Sequence, residues 1–348
     1  MTEEQFPQTP HESNDSMPAS QTGNEQIVEF SSSSPSLSSQ LAEKVKAELH
    51  KVIVGLDGVI DECLAALLVE GHILFEGYPG LAKTLLVKLL ARSLDIRFGR
   101  IQFTPDLMPS DVIGTQLLDM KEQSFRFRPG PIFANLVLID EINRAPAKTQ
   151  SALFEVMEER QVTVEGHSHP LPPPFLVIGT QNPIDQEGTY RLPEAQLDRF
   201  LFKVLVPYPT REEEAAILDR FHHNKREQLV EQVQVAAGPN DLQACAEEIQ
   251  QIHVEQQIMG YIADLVQASR THPHVYMGAS PRASLALLRA SKAFAALAGR
   301  KFVTPDDVQR ACGPVLKHRL ILNAGAEMEG FESADVVKHL IEMVEVPR

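Results

Sequence analysis

The chain reads as an α/β protein with a parallel sheet wrapped by helices, followed by a mostly helical second domain. Three observations lead there. Five short apolar runs, at 72–76, 99–103, 135–139, 175–180 and 202–206, alternate with helical patterns as far as Pro207. Such alternation builds a parallel sheet with helices on both faces. A glycine-rich turn joins the first run to a helix, and past Pro209 the patterns are helical, at about 211–223, 241–252, 257–270, 281–298 and 305–318.

Taken in order, residues 1–38 are rich in Ser, Gln, Glu and Pro and include Ser31-Ser32-Ser33-Ser34. They offer too little apolar surface to offset ordering entropy, so a disordered tail is expected. A helix begins near Ser39 with Leu41, Val45, Leu49 and Val52 on one face. A second, from about Gly58 to Val69, leads into the first strand. The α/β part is expected over 39–209 and the helical part over 210–348. Two insertions interrupt the alternation. Residues 111–131 carry Phe125-Arg126-Phe127-Arg128, an alternation that suits a short amphipathic strand. Residues 161–174 read as a second hairpin. His167 and His169 alternate along it, but neither a carboxylate nor a third ligand stands nearby to complete a metal site.

The formal net charge of −15 over 348 residues disfavours nonspecific nucleic-acid binding as the main task, because phosphate contacts drive that affinity. Cys63, Cys245 and Cys312 are isolated, which suits reduced thiols in the cytoplasm. No apolar run approaches the ~18 residues a membrane span needs, and the N-terminus lacks signal-peptide character.

The chemistry concentrates at strand ends. Gly77-Tyr78-Pro79-Gly80-Leu81-Ala82-Lys83-Thr84 follows the first strand and opens a helix with Leu85, Leu86, Leu89, Leu90 and Leu94 at helical spacing. Strand, glycine-rich turn and helix form the context of a phosphate loop. The glycines let the backbone wrap an anion, and the helix N-terminus aims N–H groups at it. Lys83 would reach the β/γ-phosphates and Thr84 would ligate Mg²⁺. Ala82 stands where the pattern G-x-x-x-x-G-K-[ST] has its last glycine. Asn135-Leu136-Val137-Leu138-Ile139-Asp140-Glu141 is a buried strand ending in two carboxylates. These lie beside the ligand crevice of such a sheet, so Asp140 would hold Mg²⁺ and Glu141 would polarise water. A third buried strand ends at Asn182, placed to bond the γ-phosphate or the attacking water. Arg199 lies near the end of a short helix over 192–200. Arg282 falls in the first turn of a helix with Ser280 at the N-cap and Pro281 at N1. A cation there opposes the helix dipole, which points to an anion nearby.

Together the segments G-x-P-G-L-A-K-T, L-I-D-E-I-N-R-A, G-T-Q-N-P, L-P-E-A-Q-L-D-R-F and S-P-R-A resemble the MoxR family of AAA+ ATPases, from about Val45 to Leu322. The resemblance implies an AAA+ P-loop NTPase core with helix-2 and pre-sensor-1 hairpin insertions and a helical lid. It implies Walker A at Gly77 to Thr84, Walker B at Asp140 and Glu141, and sensor 1 at Asn182. Arg199 matches the arginine finger and Arg282 matches sensor 2. ATP is then the substrate, Mg²⁺ the cofactor and a hexameric ring the assembly. Arg199 would be supplied to the neighbouring site, while Walker A and Arg282 bind the chain's own nucleotide. The family pattern has proline where Arg191 stands. Chaperone-like remodelling or maturation of client proteins follows by the same resemblance, including metal-cofactor insertion and partners with von Willebrand factor A domains.

Two other readings stay open. A nucleic-acid motor of the related helicase branch predicts basic hairpin tips, which Arg126 and Arg128 allow. A nucleotide-gated scaffold without significant turnover is opposed by the Asp140–Glu141 pair and Arg199. The Gly-Ala-Phe-Thr-Gly-Ala loop of enhancer-type transcription activators is missing.

Overall fold

The computed structural model describes residues 36–182, 192–223 and 225–347. Most of the N-terminal tail, and Arg191 with its family departure, lie outside them. The first helix, α1 (Leu37–Leu49), starts two residues earlier than expected because Ser36 caps it, its hydroxyl accepting from the Ser39 amide at 3.1 Å. Next come α2 (Asp57–Leu68), β1 (His72–Glu76), α3 (Lys83–Ser93) and β2 (Phe98–Gln102). The first insertion is α4 (Pro109–Ile113) with the hairpin β3 (Gly114–Asp119) and β4 (Ser124–Pro129). After β5 (Leu136–Asp140) and α5 (Ala147–Glu159) comes the second hairpin, β6 (Gln161–Val164) with β7 (His167–Pro170). The α/β part ends with β8 (Leu176–Gln181), α6 (Glu194–Leu197) and β9 (Phe200–Leu205).

The five main strands pair in parallel in the order β2-β5-β8-β1-β9. Successive side chains of a strand point to opposite faces, and the sheet uses both. Ile73, Phe75, Leu138, Ile178 and Phe202 bury on one face among α1–α3 and the helical domain. Leu74, Val137, Ile139, Val177 and Phe200 bury on the other against Phe103, Leu153, Phe154 and Met157. Two-sided burial explains the unbroken apolar runs. At the neck of the first hairpin the chain crosses itself. Gly114 has a φ of 99°, and a Cβ there would collide with the backbone of Arg128 and Gly130. Phe127 stacks on His169 with ring centroids 4.0 Å apart, so the two hairpins support each other and His169 has a packing role.

The helical part contains α7 (Arg211–His223), α8 (Arg226–Gln232), α9 (Pro239–Gln250), α10 (Gln256–Thr271), β10 (Val275–Met277), α11 (Pro281–Leu297), α12 (Pro305–Leu316), β11 (Ile321–Leu322), α13 (Ala324–Met328) and α14 (Ser333–Met343). The periodicity reading does not anticipate α8, the β10–β11 pair, α13 or α14. Thr304 opens α12 with a capping box, its amide donating to Asp307 Oδ2 at 2.9 Å. Ser280 occupies the N-cap of α11, but its side chain makes no capping bond. The N-terminal helix also belongs to this layer. Ser36 Oγ donates to Ala296 O at 2.8 Å, and Ser38 Oγ donates to Glu248.

Candidate nucleotide site

The P-loop leaves the carboxyl end of β1. The Gly77 amide donates to Gln181 O at 3.3 Å, which ties the turn to the end of β8. A Cβ on Gly77 would meet Val206 O at 3.1 Å, so the loop lies tightly against the strand exit. Gly80 has a φ of 91°. Ala82 is left-handed at φ 54° and ψ 15° as the N-cap of α3. That conformation costs an L-residue about 1–2 kcal/mol, and the cost explains why the general pattern has glycine at this position. Lys83 Nζ donates to Gly77 O and, at 2.9 Å, to Tyr78 O, so the ammonium lies over the turn. Burial lowers its pKa and the Asp140 carboxylate opposes the shift, an interaction that links the two motifs. Tyr78 stacks on Tyr208 with centroids 5.3 Å apart, bracing the outer side of the loop.

Every residue of β5 is buried, and Asp140 pairs with Gln102 in register. Arg100 Nε donates to Asp140 Oδ2 at 2.7 Å. Beyond Asp140 the chain turns sharply. Glu141 has a φ of 58°, and its amide donates to Thr180 Oγ1 at 3.0 Å. Its carboxylate Oε2 accepts from Arg144 Nε at 2.9 Å and from Gln102 Nε2 at 3.3 Å. Asn182 directly follows β8, the strand between β5 and β1. The sheet therefore brings Lys83, Thr84, Asp140, Glu141 and Asn182 to one edge. Thr84, at the start of α3, borders the same cavity as Arg100, the partner of Asp140. Two hard oxygen donors fit Mg²⁺.

The arginines stand elsewhere. Arg199 precedes β9, and Phe200 pairs with His72 at the amino end of β1. Arg199 Nη1 donates to Phe154 O at 2.7 Å and forms an ion pair with Glu158. Arg282, from the lid, bonds the same Glu158 at 3.2 Å. Both line a cleft of about 270 Å³ with His72, Arg289 and Arg319. The four steps from His72 to Glu76 separate this cleft from the P-loop by roughly 13 Å, before the loop itself is counted. In the single chain, Arg282 therefore lies apart from the phosphate loop with which the family resemblance associates it. The lid packs so that α11 starts at the amino edge of the sheet, beside Arg199 and away from Lys83. The anion that the structure places at this helix start is the Glu158 carboxylate.

Other site residues escaped the sequence reading. Arg100 and Gln102 carry only the weak signal of polar alternation on an edge strand. Glu158 sits in the last turn of an ordinary amphipathic helix and carries none. Arg319 is buried between domains. Its Nε donates to Asp198 Oδ1 at 2.6 Å and its Nη2 to Phe200 O at 2.7 Å, which fixes the lid to the segment bearing Arg199. Burial lowers its pKa, and the bond to Asp198 opposes the shift.

Residues 72–202 match the family described as ATPase family associated with various cellular activities (AAA), and residues 267–340 match the AAA lid domain. The chain is 45% identical to the protein YeaC of Bacillus subtilis, over 88% of this chain and 95% of that one. It is 42% identical to Chaperone MoxR1 of Mycobacterium tuberculosis, over 88% and 82% of the two chains. It is 31% identical to Protein MoxR of Methylorubrum extorquens, over 88% and 95%. A crystal structure of a proposed ATPase from Cytophaga hutchinsonii superposes with a TM-score of 0.83 at 41% identity, covering 90% of this chain and 97% of that one. With its P-loop sheet, its helical lid and these relatives, the chain belongs to the MoxR family of AAA+ ATPases.

Proposed function

We propose that this ATPase works as a ring, a hexamer in the simplest form, in which each nucleotide lies between two subunits and hydrolysis remodels client proteins. The observation that carries this reading is the division of the site: phosphate loop and carboxylates at one sheet edge, both arginines at the other. One chain then offers half a site at each end, and a head-to-tail neighbour supplies the missing half. Gly77 to Thr84 bind the triphosphate. Thr84 and Asp140 would hold Mg²⁺, which when bound neutralises phosphate charge. Glu141 orients and polarises water for in-line attack, with Gln102 and Arg144 steadying its carboxylate. Asn182 bonds the γ-phosphate or that water. Arg199 and Arg282 reach the neighbour's phosphates. In other phosphoryl-transfer enzymes a finger supplied in trans is worth ~10³–10⁵ in rate.

A protein client suits the first hairpin better than nucleic acid does. Leu117, Leu118, Met120 and Phe125 are exposed there. Arg126 is ion-paired with Glu122 and, at 3.8 Å, with Asp119, so the tip is apolar more than basic. Maturation of partner enzymes, metal-cofactor insertion and von Willebrand factor A domain partners belong to this proposal, as does a cytoplasmic location. Among the described residues no helix is long and apolar enough to cross a membrane.

The test is Glu141→Gln. It should bind ATP while turnover falls by about 10²–10⁴, the usual worth of a positioned base, and it should hold clients in the ATP state. Phosphate release beside nucleotide binding measures both. Turnover equal to wild type removes Glu141 from its role, and stimulation by single-stranded DNA would favour the motor reading.

A further inference from the structure

Glu158 holds both trans-facing arginines at once. It lies in the last turn of α5. Its Oε2 pairs with Arg199 Nη1, and its Oε1 accepts from Arg282 Nη2 at 3.2 Å. One arginine comes from the α/β core and the other from the lid. Arg289 and Arg160 lie in or beside the same cleft, so two guanidiniums brought together there need a counter-charge. The Phe154 carbonyl also accepts from Arg199 Nη1, the nitrogen that meets the carboxylate, and so gives Arg199 a second anchor. Arg282 has no comparable second anchor among the bonds described for it, and its side chain is 60% exposed.

We propose that Glu158 is a positioning residue that stands in for a phosphate. It keeps the finger and the lid arginine convergent in the single chain and gives them up to the triphosphate of a neighbouring subunit. The inference rests on the reading that Arg199 and Arg282 serve the neighbour's nucleotide. Energetics favours the exchange. Each Glu158 pair is partly solvated, and ion pairs of that kind are worth about 0–1 kcal/mol. A phosphate group offers shorter, charge-assisted and bidentate bonds to guanidinium. Glu158 is thus strong enough to orient two side chains and too weak to keep them.

The test uses the full chain and two readouts: steady-state phosphate release against ATP concentration, and the ATP midpoint of assembly by light scattering, which needs no turnover. Glu158→Gln keeps the shape of the side chain and removes the competing charge. KM and the assembly midpoint should fall about two- to tenfold, as expected for losing one or two weak ion pairs. Introduced into an Arg199→Ala, Arg282→Ala background, the same substitution should leave the midpoint unchanged, because Glu158 acts through those two residues. A folded Glu158→Gln with unaltered KM and midpoint overturns the proposal. An equal midpoint shift in the double-arginine background also overturns it, since the effect then bypasses the arginines. Glu158→Asp, which keeps the charge but shortens the reach, should move both readouts in the same direction and less far. Loss of fold in both Glu158 variants assigns the residue to stability and overturns the proposal as well. Normal turnover in Arg199→Ala alone refutes the underlying reading, whereas a dead Arg199→Ala beside an inert Glu158→Gln refutes only this inference.

Discussion

Arg282 gives the sharpest test of how the site is divided. It bonds Glu158 at the amino edge of the sheet, while Lys83 lies over Gly77 and Tyr78 at the carboxyl edge. The gap exceeds roughly 13 Å of strand, more than an arginine side chain can bridge. Two variants, Lys83→Ala and Arg282→Ala, should each lose most turnover alone. In an equimolar mixture that assembles at random, a productive site needs an intact Lys83 and a neighbour's intact Arg282. Only an Arg282→Ala chain beside a Lys83→Ala chain provides both. With one heterologous interface per site, about one site in four is then complete, so turnover should recover to about a quarter of wild type. Were Arg282 to serve its own chain, every Arg282→Ala subunit would lack it and every Lys83→Ala subunit would lack the lysine, giving no recovery at any ratio. Phosphate release across mixing ratios, after exchange is allowed to finish, separates the outcomes. A flat profile at the single-variant level, with mixed assembly confirmed by labelled chains, refutes the divided site.

Two further outcomes concern stability. Ala82→Gly removes a Cβ from a left-handed residue at φ 54°. The relieved cost outweighs the added freedom of the unfolded chain, so a gain of about 0.5–1 kcal/mol is expected in denaturant titration without nucleotide; a loss of stability would show that Ala82 is unstrained. His72 is buried, its Nε2 donating to Met157 O at 3.0 Å and its Nδ1 accepting from the Val177 amide at 3.0 Å. Burial lowers its pKa to about 4 from an ordinary 6.5. The folded imidazole stays neutral while the unfolded one binds a proton, so stability present above pH 6.5 is lost as pH falls toward 4, by about 3 kcal/mol in all. Glu62, raised to about 7 by burial, acts in the opposite sense, losing stability as pH rises from 4.5 toward 7. The comparison is therefore between wild type and His72→Gln: their stability difference should shrink as pH drops through that window, and a constant difference would refute the assignment.

The separate reach of sequence and structure shows in particular residues. Strand ends were legible because a strand buried on both faces must be continuously apolar, and the first polar residues after it, Glu141 and Asn182, therefore mark the crevice. The P-loop was legible despite Ala82, because an anion cradle needs strand, turn and helix in immediate succession. α11 announced its start through Ser280 and Pro281. By contrast, α14 and the β10–β11 pair were not anticipated, and the helix expected over 192–200 covers only Glu194–Leu197, leaving Arg199 outside it.

Local pattern alone determined the α/β class, the phosphate loop, the two carboxylates and the helical lid, since each depends on neighbours within about a dozen positions. Tertiary packing decided which edge each arginine occupies. Buried Arg319 fastens the lid to Asp198 and Phe200, and that docking sends Arg282 to Arg199 and both to Glu158. Partners separated by 124 positions, as Arg282 and Glu158 are, leave no periodic trace in a sequence. Their meeting follows from how two domains pack, which only the folded chain contains.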